Sequence, residues 1–116
     1  MLPVGLYYEK MNNVYRGGTP DVWYSGTLDD LWVEYKWIPK LPVRGVVDLL
    51  DLLSPLQAKW LGDRMLEGRN VAIVVGSPKG SWFSNHTTLR TKINPEEFTY
   101  SRLDVANWIR RKTMAP

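Results

Sequence analysis

The sequence predicts a small α/β domain with a mixed central sheet flanked by helices. Three observations carry that prediction. Two runs rich in β-branched and aromatic residues, 21–25 and 31–38, are separated by a polar turn. A helix with clear signals at both ends follows. After it comes a short apolar run from Val71 to Val75, closed by Gly76. With 116 residues and a mass of 13.4 kDa, the chain has room for a single domain over 1–116 and no second core.

Taken in order, residues 2–13 open ambiguously, with Leu6, Tyr7, Lys10 and Met11 placed for one or two helical turns. Arg16-Gly17-Gly18-Thr19-Pro20 is loop chemistry, because paired glycines permit unusual dihedrals and the proline pushes its predecessor into extended backbone. Residues 21–25 then read as a strand, 26–30 as a turn and 31–38 as a second strand, together a hairpin. Past Pro39, a proline-spaced basic connection with Lys40, Pro42 and Arg44 leads into an apolar stretch, 46–53.

Ser54 and Pro55 announce the next helix, serine at the N-cap and proline at the first helical position, where its missing N–H costs nothing. Leu56, Trp60, Leu61 and Met65 recur along it at helical spacing, and it ends near Gly68. The run 71–75 is short and branched enough to be a buried strand beside the hairpin. Residues 77–89 are a polar loop or short edge strand, 90–93 a further strand, and Asn94-Pro95-Glu96-Glu97 a brief helical start. A terminal helix runs from Ser101 to Lys112, with Asp104 at the reciprocal capping position and Arg110, Arg111 and Lys112 complementing the negative end of its dipole.

Composition removes whole classes of function. There is no cysteine, so disulfide frameworks, thiolate metal sites and cysteine nucleophiles are excluded together. The single histidine, His86, excludes multi-histidine zinc sites and paired-histidine mechanisms. It sits in a polar segment and reads as a solvent-facing side chain whose replacement is tolerated. No apolar run approaches the roughly 20 residues of a membrane span, and the opening lacks a basic leader with a long apolar core, so a cytoplasmic address is expected. Asn85-His86-Thr87 then carries no meaning as a glycosylation signal.

A net charge of +3 and a pI near 9.3 are compatible with a polyanionic partner. Six tryptophans and six tyrosines are a heavy aromatic load. Most of it should be core, Trp37 and Trp60 included. Trp82-Phe83, set in a polar segment, is the pair expected to meet bases or a second subunit. Gly76-Ser77-Pro78-Lys79-Gly80 lacks the glycine spacing and lysine–serine pair of a phosphate loop and reads as a turn.

The chemistry left open needs carboxylates, lysine, hydroxyls or a metal held by oxygen. Glu34 and Lys36 are two apart on a strand and share one face, with Val33, Tyr35 and Trp37 on the other. Ionisable groups mid-strand between Trp32 and Ile38 are costly to bury without a neutralising partner. A hairpin register that brings Asp21 opposite Glu34 would supply two carboxylates for a hard cation such as Mg2+, which keeps several waters and takes further ligands from substrate phosphate. Lys36 would then steady developing negative charge, and the implied reaction is phosphodiester hydrolysis. The alternative is a solvent-exposed hairpin face with an incidental Glu–Lys pair.

The ordered string Gly18-Thr19-Pro20-Asp21, then Val33-Glu34-Tyr35-Lys36, then Leu53-Ser54-Pro55-Leu56-Gln57 resembles the PD-(D/E)XK nuclease superfamily, and within it the VRR-NUC family of small phage and bacterial nucleases. The resemblance spans about residues 16–75. It implies a restriction-endonuclease-like core and a Mg2+- or Mn2+-dependent DNA endonuclease. Asp21 and Glu34 would be metal ligands together with the Tyr35 carbonyl, Lys36 the catalytic lysine, and Gln57 a polar residue aimed into the site from the first turn of the helix.

The same resemblance implies a branched-DNA substrate of the Holliday-junction-resolvase kind, cut by a two-fold homodimer. The rival reading is a non-catalytic nucleic-acid- or protein-binding module that keeps the scaffold. Family members usually carry a longer N-terminal helix bearing a glutamate that completes the metal site, a ligand role for which only Glu9 is available here. The connection 38–53 is longer than the family loop, and its Asp48 and Asp51 read as capping or surface acids. Arg16, Lys40, Arg44 and Lys59, with the Arg110–Lys112 cluster, are the candidates for contacts with the DNA backbone.

Overall fold

The computed structural model describes residues 6–10, 21–84 and 90–114. Five strands form the central sheet: β1 (Tyr7–Lys10), β2 (Val22–Ser25), β3 (Asp30–Trp37), β5 (Val71–Gly76) and β6 (Ser81–Phe83), in the order β1-β2-β3-β5-β6. β3 and β5 pair in parallel, and the other neighbours are antiparallel, so the sheet is mixed as the sequence predicts. A parallel neighbour requires a crossover, and that crossover carries α2 (Pro55–Leu66). A separate two-stranded sheet pairs β4 (Val47–Asp48) with β7 (Lys92–Ile93), β4 leading into the single helical turn α1 (Leu49–Leu52). After a 3-10 turn at Pro95–Glu97, α3 (Arg102–Thr113) closes the described chain.

β5 shows why the two sides of the sheet are both cores. Its Ala72 and Val74 face α3, joining Val22, Leu31, Val33, Val105 and Ile109. Its Ile73 and Val75 face the α2 side, joining Leu49, Leu53, Leu61, Trp82 and Phe98. A strand with apolar residues on both faces belongs in the middle of a layered α/β domain.

Several expectations are corrected. Residues 7–10 form an edge strand, not helical turns: Tyr7 and Tyr8 point to opposite faces, meeting Trp23 and Tyr24 respectively, so the alternation of the strand overrides the helical spacing. The stretch 46–53 divides into β4 and α1, with Asp48 capping α1 by accepting from the Leu50 N–H at 3.0 Å, the capping role expected of it. Residues 92–93 join β4 and leave the central sheet to β6 as its edge.

The α2 stripe is narrower than predicted, since only Leu61 is fully buried and Leu56 is exposed. Trp82 and Phe83 are core residues, Phe83 stacked 4.5 Å from Trp108, and are therefore unavailable to bases. Trp37, expected in the core, is 61% exposed at the end of β3, its ring lying where a Gly76 side chain would otherwise stand. Arg16, Met11 and His86 lie outside the described residues.

Candidate active site

The site begins with the way β2 ends. Val22 pairs with Val33, so the next step of the register sets Asp21 opposite Glu34. Instead of continuing the ladder, the Asp21 carboxylate accepts the Tyr35 backbone N–H at 2.9 Å. The N–H and C=O of one strand residue point to the same neighbour, so the Tyr35 carbonyl shares this edge with Asp21. The Tyr35 side chain lies on the other face, its hydroxyl 2.6 Å from that of Tyr24. Burial and that bond raise the Tyr35 hydroxyl pKa, whereas for Tyr24 burial raises it and the bond works the other way.

Glu34 is 1% exposed, which excludes the alternative of a solvent-exposed hairpin face. One of its oxygens, Oε1, accepts from Gln57 Nε2 at 3.3 Å and lies 3.9 Å from Lys36 Nζ. The other, Oε2, is buried with no hydrogen-bond partner among the described residues. Burial pushes the Glu34 carboxyl up to about 8, the Asp21 carboxylate beside it adds to the rise, and Lys36 offsets only part. A buried carboxyl with an orphaned oxygen next to a second carboxylate has the composition of a hard-cation site.

Gln57 is fixed by the start of α2. Ser54 caps the helix by accepting the Gln57 N–H at 3.1 Å, and Gln57 Oε1 returns by accepting the Ser54 N–H at 3.0 Å. The same Oε1 accepts from Lys36 Nζ at 3.0 Å, leaving Nε2 directed at Glu34. A reciprocal capping box thus doubles as the support of the lysine and the buried carboxyl. The sequence shows the capping pattern; the shared use of one oxygen depends on α2 packing against β5 with its first turn reaching β3, which has no local signal.

Other expected residues fall elsewhere. Glu9 of β1 pairs with Trp23, two residues along the sheet from Asp21, and its carboxylate accepts from the Tyr7 hydroxyl at 3.4 Å. Among the described residues no group of three or more His, Asp or Glu side chains is arranged to hold a metal. Lys40 and Arg44 are exposed in the connection after β3, and Lys59 is exposed on α2 and paired with Asp63 at 2.8 Å. A cleft of about 360 Å3 lies on the α3 side between Tyr24, Tyr35, Trp37, Arg102 and Ile109, with Lys36 at its border and Glu34 on the other face of the sheet. No helix of the described residues is long and apolar enough to cross a membrane.

No protein-family model and no curated protein matches the sequence. Among solved structures, the chain is similar to Hjc, a Holliday junction resolvase from the archaeal hyperthermophile Archaeoglobus fulgidus, with a TM-score of 0.55 over 90% of this chain and 88% of that one. Identity is 17%, so the likeness is one of fold, and the mixed sheet with its flanking helices is a resolvase-like architecture.

Proposed function

We propose that this protein is a divalent-metal-dependent DNA endonuclease that acts on branched DNA. The observation that carries the reading is the buried Glu34, its Oε2 unpartnered, beside Asp21 and within reach of Lys36 and Gln57, on a resolvase-like fold. Asp21 and Glu34, with the Tyr35 carbonyl on the same edge, would hold the cation, of which Mg2+ accepts one or two carboxylates and leaves room for phosphate oxygens. Mn2+ suits the same oxygen ligands. Such an ion supplies positive charge against the phosphate and makes water a better nucleophile near neutral pH.

The chain's own residues do the rest. Lys36 spends one N–H on Gln57 and keeps others for a phosphate oxygen, so its charge is aimed before substrate arrives. Gln57 holds that ammonium and the Glu34 carboxyl in fixed relation. Lys40 and Arg44, exposed on the connection that leaves the C-terminal end of β3, would meet the sugar–phosphate backbone. A two-fold homodimer would present paired sites to opposing strands of a junction.

Cleavage of four-way junction, flap and linear duplex DNA in Mg2+, Mn2+ or chelator tests the reading. Wild type is expected to cut a branched substrate with metal only. Lys36→Ala should lose at least roughly a hundredfold in rate. Equal behaviour of wild type and Lys36→Ala on every substrate would favour the binding-module alternative.

A further inference from the structure

Four aromatic rings lie in a line across the face of the sheet that carries the carboxyl pair. Tyr7 of β1 meets Trp23 of β2 edge-on with centroids 5.8 Å apart, and Trp23 is 5.8 Å from Trp32 of β3. Trp32 is 5.4 Å from Trp60 of α2, and the Arg64 guanidinium lies 5.3 Å from the Trp60 ring centre. Tyr7 is 55% exposed and the three tryptophans are half-buried. Two ring tips are tied down: Trp23 Nε1 donates to Asp30 at 3.1 Å, and the Tyr7 hydroxyl donates to Glu9 at 3.4 Å.

The register relates this line to the carboxyls. Trp23 faces Trp32, and Asp21 and Glu34 stand two residues further along the same two strands on the same face. Two residues of strand span roughly 6 to 7 Å, about one nucleotide of an extended, unstacked strand. α2 lies on this same face, packed against β5, and its Trp60 closes the line beside β3, whereas α3 covers the opposite face.

We propose that the line is a stacking platform for unpaired bases next to the scissile phosphate, so the preferred branch carries a single-stranded segment. This rests on the nuclease reading and narrows its substrate. The ring geometry selects bases over phosphates as the occupant. Asp30 and Glu9 at the ring tips repel a phosphate chain laid on the sheet, yet they accept hydrogen bonds from exocyclic amino groups, while rings and the Arg64 cation offer flat surfaces to any base. The backbone then runs outside the rings toward Lys36.

Binding is measured in chelator, where no cutting occurs, by fluorescence anisotropy of the full chain with a labelled duplex that is either blunt or bears a single-stranded tail. Wild type should bind the tailed duplex more tightly. Tyr7→Ala and Trp23→Ala should each weaken tailed binding roughly tenfold and leave blunt binding unchanged, with Trp23→Phe restoring most of the loss.

Tyr8→Ala is the control, since Tyr8 is 56% exposed on the same strand but points to the other face. Equal affinity of wild type for the two duplexes, or equal losses on both, overturns the platform. So does a Trp23→Ala protein that keeps its DNA affinity but loses self-association in sedimentation, which would give this face to a second copy. Tyr7, being exposed, tests the idea even if Trp23→Ala does not fold. Cleavage in Mg2+ run in parallel separates the two claims: absent cutting with tail preference intact removes the nuclease reading alone, and cutting without tail preference removes the platform alone.

Discussion

Glu34 is held in a state that resists ionisation, and this has a measurable consequence. With its carboxyl pushed up to about 8, the folded chain keeps a proton that the unfolded chain releases in the ordinary carboxylate range. Across that window the folded state binds more protons, so stability falls as pH rises, from its full value below the unfolded pKa to its lowest above about 8. Thermal unfolding of the metal-free protein should therefore shift to lower temperature between pH 5 and pH 8, and Glu34→Gln should flatten that slope. On the proposed function, a divalent cation favours the ionised carboxyl and should oppose the shift, most strongly at the alkaline end.

What was legible at this scale was residue type and alternation: Glu34 and Lys36 on one face, Asp21 at a strand start. The depth of Glu34's burial was not, because it is set by α2, whose Gln57 reaches Glu34 from 23 positions away. Neither was the place of Glu9 beside Trp23, which follows from how β1 pairs. The burial of the aromatic residues is set by long-range pairing in the same way. Local polarity around Trp82-Phe83 says loop, yet the β5 pairing turns both inward, while Trp37, the last paired residue of β3, stays in solvent.

At the scale of elements, α2 was the most readable part of the chain, because Ser54, Pro55 and Gln57 each satisfy a local requirement of a helix start. The resemblance implies a site role for Gln57 at that start, but its use of one oxygen for both the cap and Lys36 has no local signal. Ser54→Ala removes the hydroxyl that accepts the Gln57 N–H and should cost about 1 kcal/mol of stability. Since Gln57 also carries Lys36, cleavage on the proposed function should fall by more than the stability loss explains, whereas Ser54→Asp should retain both; denaturant melts alongside single-turnover rates measure the two effects separately. The strand at 7–10 was lost to an accidental helical spacing, and β4 was hidden within an apolar run whose division falls at a capping aspartate.

Across the whole molecule, the layered α/β plan was foreseeable from the sequence of strand, strand, helix and strand, but the closure of the domain was not. The turn between β2 and β3 is fastened to the end of α3: the Leu28 and Asp29 N–H groups both donate to the Thr113 carbonyl, at 2.8 and 3.2 Å. A side chain at Gly26 would collide with that same carbonyl. Gly26→Ala should thus lower the melting temperature through a contact distant in sequence, by a few degrees for each kcal/mol lost in a domain of this size. A Gly62→Ala protein serves as comparison, because the space beside Gly62 is open. Equal melting temperatures for the two would show that the junction contributes nothing.

That fastening also governs when the domain comes into being. Leu28 and Thr113 are far apart in sequence, and the helix that ends at Thr113 supplies Val105, Trp108 and Ile109 to the cover over the hairpin. During synthesis the strands that bear Asp21 and Glu34 leave the ribosome long before their lid does. Pairings so remote in sequence form slowly and late, so a nascent chain stays unfinished until residues 102–113 have emerged.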